Sequence, residues 1–121
     1  MQSFNDITLI GRLTKNPEAK SFESKGKSSI VTHFILAVNR RFKKNNKTET
    51  DFIKVTLFGV KADNANFFLK KGMLILVQGE LHTQASKSKT GTNYYSEVIA
   101  DRFEFMEAKT KTEEEEEVPN G

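Results

Sequence analysis

The segment Asp51–Phe58 combines aromatic rings with a positive charge at the period-two spacing of a β-strand. One set of alternate residues is aliphatic and suits a core, whereas the other set is Phe52, Lys54, Thr56 and Phe58. An unpaired lysine is costly to bury, so we expect this second face to be a partly exposed strip of two rings with an ammonium group between them. Such a strip can stack flat groups and attract anions.

A polar loop precedes this strand and concentrates positive charge around Phe42. Its basic residues are Arg40, Arg41, Lys43, Lys44 and Lys47. A single-stranded nucleic acid presents phosphates, which attract lysine and arginine, and unstacked bases, which lie flat on aromatic rings. The pattern therefore predicts that the rings contact bases and the charges contact phosphates. The alternative is that the phenylalanines belong to the core and the lysines are only solvated. Composition does not separate DNA from RNA.

The charge of the chain is unevenly distributed. The chain has 121 residues, which suits one domain, and a net charge of +3. Five of its 16 acidic residues are the consecutive glutamates 113–117, which leaves 11 acidic against 19 basic residues elsewhere. A basic body favours a polyanionic partner, either nucleic acid or an anionic membrane surface, and the aromatic strip favours nucleic acid. No apolar run has transmembrane length, and the N-terminal residues lack the pattern of a secretory signal.

Residue types that catalysis or metal binding would need are scarce. The chain has no cysteine, which excludes a disulfide scaffold and a thiolate metal site and fits a reducing cytosol. Its two histidines, His33 and His82, have no acidic partner at metal-ligand spacing, and no glycine-rich phosphate loop occurs. We therefore predict a protein that is not an enzyme and that needs no cofactor.

Five strands and one short helix account for the apolar patterning. The predicted strands are Phe4–Leu13, Ile30–Asn39, Asp51–Phe58, Met73–Gln84 and Asn93–Met106, and the predicted helix is Lys61–Lys71. Because no long crossover helix separates the strands, the sheet is expected to be mostly antiparallel. This order predicts an all-β fold, the five-stranded antiparallel Greek-key barrel of the OB-fold, with one short helix between strands 3 and 4. A small β-sandwich is the alternative.

The strand Ile30–Asn39 is apolar on both sides of its alternation. One face suffices for the core of a small barrel, so the other would be an exposed apolar surface unless something covers it. The pattern therefore predicts a homo-oligomer.

Two adjacent tyrosines, Tyr94 and Tyr95, lie in the last predicted strand. Because neighbouring residues of a strand point to opposite faces, one of them is expected to face inward, and the pattern does not say which.

Five segments carry a family resemblance: FNDITLIGRLTKNPE (Phe4–Glu18), FILAVNRRF (Phe34–Phe42), TDFIKVTLFGVKADNANFFLKKG (Thr50–Gly72), LVQGEL (Leu76–Leu81) and YYSEVIADRFEFM (Tyr94–Met106). Through them the chain resembles the bacterial and phage single-stranded DNA-binding proteins. The resemblance implies an OB-fold that assembles as a homotetramer, with a dimer as the fallback. It also implies sequence-tolerant binding of single-stranded DNA during replication, recombination and repair in the bacterial cytoplasm, and the short chain favours a phage, plasmid or accessory version. The alternatives are an OB-fold RNA-binding protein and a replication-restart accessory protein.

The resemblance also implies which residues bind the nucleic acid, and it places the stacking aromatics of the family at the three rings already singled out. A further family aromatic would fall at Ser86, which has no ring, so the last loop is expected to rely on Lys87 and Lys89. The usual arginine of the family is His82 here. The predicted nucleic-acid-binding residues are Phe42, Phe52, Phe58, Arg12, Arg40, Arg41, Lys43, Lys44, Lys47, Lys54 and Lys87.

The C-terminal residues depart further from the family pattern. From Lys109 onward no apolar periodicity remains, so we predict a domain over residues 1–108 and a disordered acidic tail over residues 109–121. Family members commonly end in an acidic tip with a terminal phenylalanine that docks partner proteins. The predicted partner-binding residues are the acidic run Glu113, Glu114, Glu115, Glu116 and Glu117. Contact with replication or recombination proteins through them is expected without the usual aromatic ring.

Overall fold

A computed structural model describes residues 2–107, and the predicted acidic tail lies outside them. The elements are β1 (Ile7–Leu13), β2 (Glu18–Ser24), β3 (Lys27–Asn39), β4 (Thr50–Phe58), α1 (Val60–Phe68), β5 (Leu74–Ser88) and β6 (Gly91–Phe105). The predicted all-β class with one short helix is therefore confirmed. Among residues 2–107 no helix is long and apolar enough to cross a membrane.

The six strands form one sheet in the order β1-β5-β6-β4-β3-β2, and β1 also pairs with β3. This additional pairing joins Arg12 to Ala37 and Leu13 to Leu36. The strand pairings, followed from β1 through β5, β6, β4 and β3, therefore lead back to β1. The pairing of β1 with β3 depends on Gly11, because a Cβ atom at this position would lie 2.3 Å from the Ala37 carbonyl oxygen. All pairings are antiparallel except that of β4 with β6, so the sheet is mostly antiparallel as predicted.

The strand β2 is an addition to the five predicted strands. It pairs with β3 from Glu18–His33 to Ser24–Lys27 through a two-residue turn at Lys25 and Gly26, which have φ angles of 53° and 78°. Such left-handed angles suit a tight β-hairpin. Phe22 alone in β2 is half-buried, and the other six residues are exposed. An edge strand without a buried face has no apolar alternation, so the sequence did not indicate it. The helix consequently lies between the fourth and fifth strands.

The helix α1 closes one side of the core and is shorter than predicted. Ala62 and Ala65 in the helix and Leu69 directly after it are buried in the core. The helix ends at Phe68, because Leu69 already has the extended angles φ −90° and ψ 144°. Lys70 therefore follows the helix instead of forming its last turn. The buried Thr32 hydroxyl of β3 donates a hydrogen bond of 2.8 Å to the Ala62 carbonyl and fastens the helix to the sheet.

The strands β5 and β6 extend beyond the core as a two-stranded hairpin that is longer than predicted. All side chains of residues 83–96 are exposed, and we call this segment the arm. The pairing between the two strands shifts by one residue between Gln78 and Gly79. A Cβ atom at Gly79 would lie 2.1 Å from the Ile99 carbonyl oxygen, so the close approach of the strands at this bulge requires glycine.

Candidate nucleic-acid interface

The outer face of β4 displays two aromatic rings on either side of a lysine. In the pairing with β3, Phe52 lies opposite Ala37 and Phe58 lies opposite Val31. Phe52 is 67% exposed and Phe58 is 49% exposed, so neither ring is a core residue. Lys54 lies between them on the same face and is also exposed. We call Phe52, Lys54 and Phe58 the strip.

Thr56, which the sequence placed on the exposed face, is buried. Its hydroxyl donates a hydrogen bond of 2.8 Å to Oε1 of Glu97, a residue of the neighbouring strand β6. The same carboxylate oxygen lies 3.9 Å from the Lys54 ammonium. Sequence reasoning missed Glu97 because it is 41 residues from Thr56 and reaches it only through the parallel pairing of β4 and β6. A negative charge therefore lies beside the strip.

The outer face of β3, which lies next to the strip, is apolar between Val31 and Ala37 except for His33. Val31, Ile35 and Ala37 are half-buried and lie opposite Phe58, Lys54 and Phe52 in the pairing with β4. On the other side of β3, the ring of Phe22 meets the ring of Phe58 edge-on, with 6.3 Å between centroids. The second apolar face of β3, from which self-association was predicted, is thus continuous with the aromatic strip.

The Phe42 ring stands in the basic loop that joins β3 to β4, and it is 81% exposed. The Arg41 guanidinium carbon lies 5.9 Å from the ring centroid, within the range of a cation–π contact. A tight turn forms the tip of the loop, where Lys44 and Lys47 exchange two backbone hydrogen bonds of 2.9 and 3.0 Å. Within residues 2–107, Lys43, Lys44 and Lys47 form no ion pair, so their charges are available to an anion.

The Arg40 guanidinium, by contrast, is already paired with two carboxylates. It donates to Asp51 with its closest contact at 2.9 Å and to Glu49 at 3.1 Å. Hydrogen bonding to Asp51 raises the pKa of Arg40, and the same contact lowers the pKa of the Asp51 carboxyl. The two acidic residues compete with any phosphate for this guanidinium.

The Arg12 side chain is paired in a similar way. Its guanidinium donates hydrogen bonds to the Gly72 carbonyl at 2.9 Å and to Glu107 at 2.8 Å. The hydrogen bond with Glu107 raises the pKa of Arg12 and lowers that of the Glu107 carboxyl. Arg12 lies opposite Ala37 in the sheet, and its charge is paired with Glu107, which follows β6.

Lys87 and Ser86 lie in the arm, on opposite faces. Ser86 pairs with Asn93 and Lys87 pairs with Thr92. By alternation, Ser86 shares its face with Glu97 and therefore with the strip, whereas Lys87 lies on the other face.

The two histidines each lie beside one glutamate. His33 Nε2 lies 3.4 Å from Glu18, and His82 Nε2 lies 3.0 Å from Glu80. In the part of the chain that the structure describes, no three acidic or histidine side chains gather as ligands for a metal ion.

Comparison with known proteins adds to this geometry. The model of the Single-strand binding protein family matches residues 4–106. The single-stranded DNA-binding protein of Clostridium tetani is 44% identical over 104 residues, which cover 85% of this chain and 70% of that protein. The single-stranded DNA-binding protein B of Bacillus subtilis is 38% identical over 110 residues, which cover 89% of this chain and 95% of that protein. Single-stranded DNA-binding protein 3 of Clostridium acetobutylicum is 40% identical over 104 residues.

The family match confirms the resemblance read from the sequence. It also confirms the OB-fold, because the order of strands and the short helix before β5 agree with the fold that the family implies. The match covers nearly all of the described residues, including the strip, the basic loop and the arm. The chain therefore belongs to the single-strand binding protein family.

Proposed function

We propose that this protein binds single-stranded DNA with little sequence preference and coats it during DNA replication, recombination and repair. The observation that carries the proposal is the strip, in which the exposed rings of Phe52 and Phe58 flank the ammonium of Lys54 on one outer face. The names of the related proteins support single-stranded DNA as the ligand. A member of this family is not an enzyme.

The rings and the charges have separate parts in this proposal. Phe42, Phe52 and Phe58 stack bases, and each stacked base contributes ~1–3 kcal/mol with little dependence on its identity. Phosphates are contacted by the cations that form no strong ion pair near the strip, which are Arg41, Lys43, Lys44, Lys47 and Lys54. Arg12 and Arg40 contribute less, because carboxylates already hold them. Lys87 starts on the other face of the arm, and its long side chain contacts a phosphate at the edge of the arm.

A titration separates this function from its alternatives. Oligo(dT), oligo(U) and a DNA duplex of the same length are titrated at two salt concentrations. Oligo(dT) is expected to bind most tightly and to weaken steeply with salt, because neutralised phosphates release counterions. One chain is expected to cover on the order of 4–16 nucleotides. Tighter binding of oligo(U) would favour an RNA-binding protein, and equal or tighter binding of the duplex would overturn the proposal.

We further propose that the protein is a homotetramer, with a dimer as the alternative. The outer face of β3 is continuous with the strip and belongs to the proposed DNA-binding surface, so self-association needs other apolar surface. Large exposed apolar side chains do lie outside the strip, among them Ile10 on β1 and the edge-to-face pair Phe67–Phe68 at the end of α1. Light scattering at micromolar concentration is expected to give four times the chain mass of 13.7 kDa. A monomer would overturn this part of the proposal.

We also propose that Glu113–Glu117 contact replication or recombination proteins in the bacterial cytoplasm. Their five charges form a continuous acidic run that a basic partner surface can recognise. Retention of purified partner proteins by the parent, but not by a variant with glutamine at these five positions, is the expected result. Equal retention by both would remove the acidic run from partner binding.

A further inference from the structure

Two neighbouring tyrosines on the arm are both exposed. Tyr94 is 77% exposed and Tyr95 is 56% exposed, although alternation in a strand predicted that one of them would face inward. Both are in water because residues 83–96 extend beyond the core. The two rings therefore differ in direction but not in access to solvent.

The sheet pairings assign the two rings to different faces. Tyr95 pairs with Gln84 and lies two residues from Glu97 on the same strand, so the two side chains share a face. Glu97 contacts Thr56 and Lys54, which puts this face of the arm in continuity with the strip. Tyr94 lies on the opposite face, which it shares with the buried Val98.

The parallel register of β4 and β6 brings Tyr95 toward Phe52. Val55 pairs with Val98 and Thr56 with Ile99. One residue before Val55, Lys54 lies beside Glu97, as the 3.9 Å contact between them shows. Two residues further back on each strand are Phe52 and Tyr95. The two strands no longer pair at this point, so both rings stand at the opening between them.

We propose that Tyr95 is a further base-stacking ring, which carries the DNA strand from the Phe52–Phe58 strip onto the arm. The proposal rests on the proposed single-stranded DNA-binding function. The charge of the arm suits this ligand, because residues 83–96 contain two lysines and no acidic residue. Gln84, Ser86 and Asn93 share the face of Tyr95 and offer neutral hydrogen-bonding groups to bases or phosphates.

Tyrosine fluorescence tests the proposal at a single residue. The chain has two tyrosines and no tryptophan, so Tyr94→Phe leaves Tyr95 as the sole tyrosine, and Tyr95→Phe leaves Tyr94. Each variant is titrated with oligo(dT), and binding is followed independently by the anisotropy of a labelled oligonucleotide. The emission of the Tyr94→Phe protein is expected to be quenched at saturation. The emission of the Tyr95→Phe protein is expected to change little.

Alanine substitutions provide a matched pair for affinity. Tyr95→Ala is expected to weaken oligo(dT) binding by about 5- to 150-fold without changing its salt dependence, because it removes a stacking ring and no charge. Tyr94→Ala, a change of the same type at the neighbouring exposed residue, is expected to bind like the parent. Tyr95→Phe retains the ring and is expected to retain affinity.

The outcomes distinguish this proposal from the function on which it rests. If the parent and the variants bind oligo(dT) by anisotropy, but Tyr95 emission does not change or Tyr95→Ala binds like the parent, Tyr95 is not a stacking ring and the proposed function stands. Equal losses for Tyr94→Ala and Tyr95→Ala would also overturn the assignment to one face. If the parent does not bind oligo(dT), both proposals fail.

Discussion

The Lys54 ammonium lies 3.9 Å from a carboxylate oxygen of Glu97, beside the exposed rings of Phe52 and Phe58. The same oxygen accepts a hydrogen bond from Thr56. A surface that is proposed to bind phosphates thus includes a carboxylate, which repels phosphates and partly neutralises its own lysine.

Neutralising Glu97 is expected to tighten binding. Glu97→Gln keeps an oxygen that can accept the Thr56 hydrogen bond and removes only the charge. A carboxylate about 4 Å from a phosphate costs on the order of 1 kcal/mol in water. The dissociation constant for oligo(dT) should therefore fall several-fold at low salt, and less at high salt. Glu23→Gln, near the β2–β3 turn, makes the same change of charge and is the control. Weaker binding by a folded Glu97→Gln protein would contradict the prediction.

Removing a ring and removing a charge are expected to have different signatures. Phe52→Ala should weaken binding by ~1–3 kcal/mol and leave the salt dependence nearly unchanged. Lys43→Ala should instead reduce the slope of log K against log salt by ~0.7, the share of one phosphate on a single strand. Oligo(dT) titrations over a salt series measure both. The 67% exposure of Phe52 predicts that its alanine variant folds; if that variant unfolds, the ring supports the core instead.

Removing one of the two carboxylates that pair with Arg40 is expected to add a phosphate contact. Asp51→Asn removes the carboxylate that accepts its closest hydrogen bond, at 2.9 Å. The guanidinium, which then keeps only its contact with Glu49 at 3.1 Å, should tighten oligo(dT) binding at low salt and steepen the salt dependence by up to ~0.7. Glu23→Gln, which makes the same change of charge near the β2–β3 turn, is the matched control. Equal effects of the two substitutions would show that only net charge matters and that Arg40 does not reach a phosphate.

The acidic run is expected to compete with DNA. Glu113–Glu117 carry five charges of the same sign as a phosphate backbone and are tethered to a basic domain, so their effective concentration near it is high. Changing these five residues to glutamine should tighten oligo(dT) binding at low salt, and the gain should shrink as salt screens the charges. This variant is cleaner than deletion of residues 109–121, which also removes Lys109 and Lys111. Identical binding across low and moderate salt would assign the run no competitive role.

The strand alternation of Asp51–Phe58 was sufficient to predict which side chains of β4 face the core and which rings face outward. Alternation depends only on neighbouring residues in the sequence, so it can be used without knowledge of the fold. It could not predict the burial of Thr56, because that depends on a partner 41 residues away. The pairing of Arg40 is nearer in sequence, but it depends on the hairpin register that brings Asp51 back beside it.

Two further differences between prediction and structure arise from burial. The strand β2 went unpredicted because an edge strand with one half-buried side chain has no apolar period. Tyr94 and Tyr95 were expected to face opposite ways, and they do, but the expectation that one would be buried assumed a core beneath the strand. How far a hairpin extends beyond its core depends on the packing of the whole sheet, which no short segment encodes.

The pairing between β4 and β6 is short. These strands pair only at Val55–Val98 and Thr56–Ile99, and rings or charges proposed to bind DNA stand on both of them. Short pairings open locally more easily than long ones and expose their amide hydrogens to exchange. A DNA strand that stacks on Phe52 and Tyr95 spans this seam and binds only its closed form, so it adds its binding free energy to the cost of opening. DNA should therefore slow hydrogen exchange along the β4–β6 seam more than at the β2–β3 turn. The bound DNA would then hold β4 and β6 in their paired arrangement.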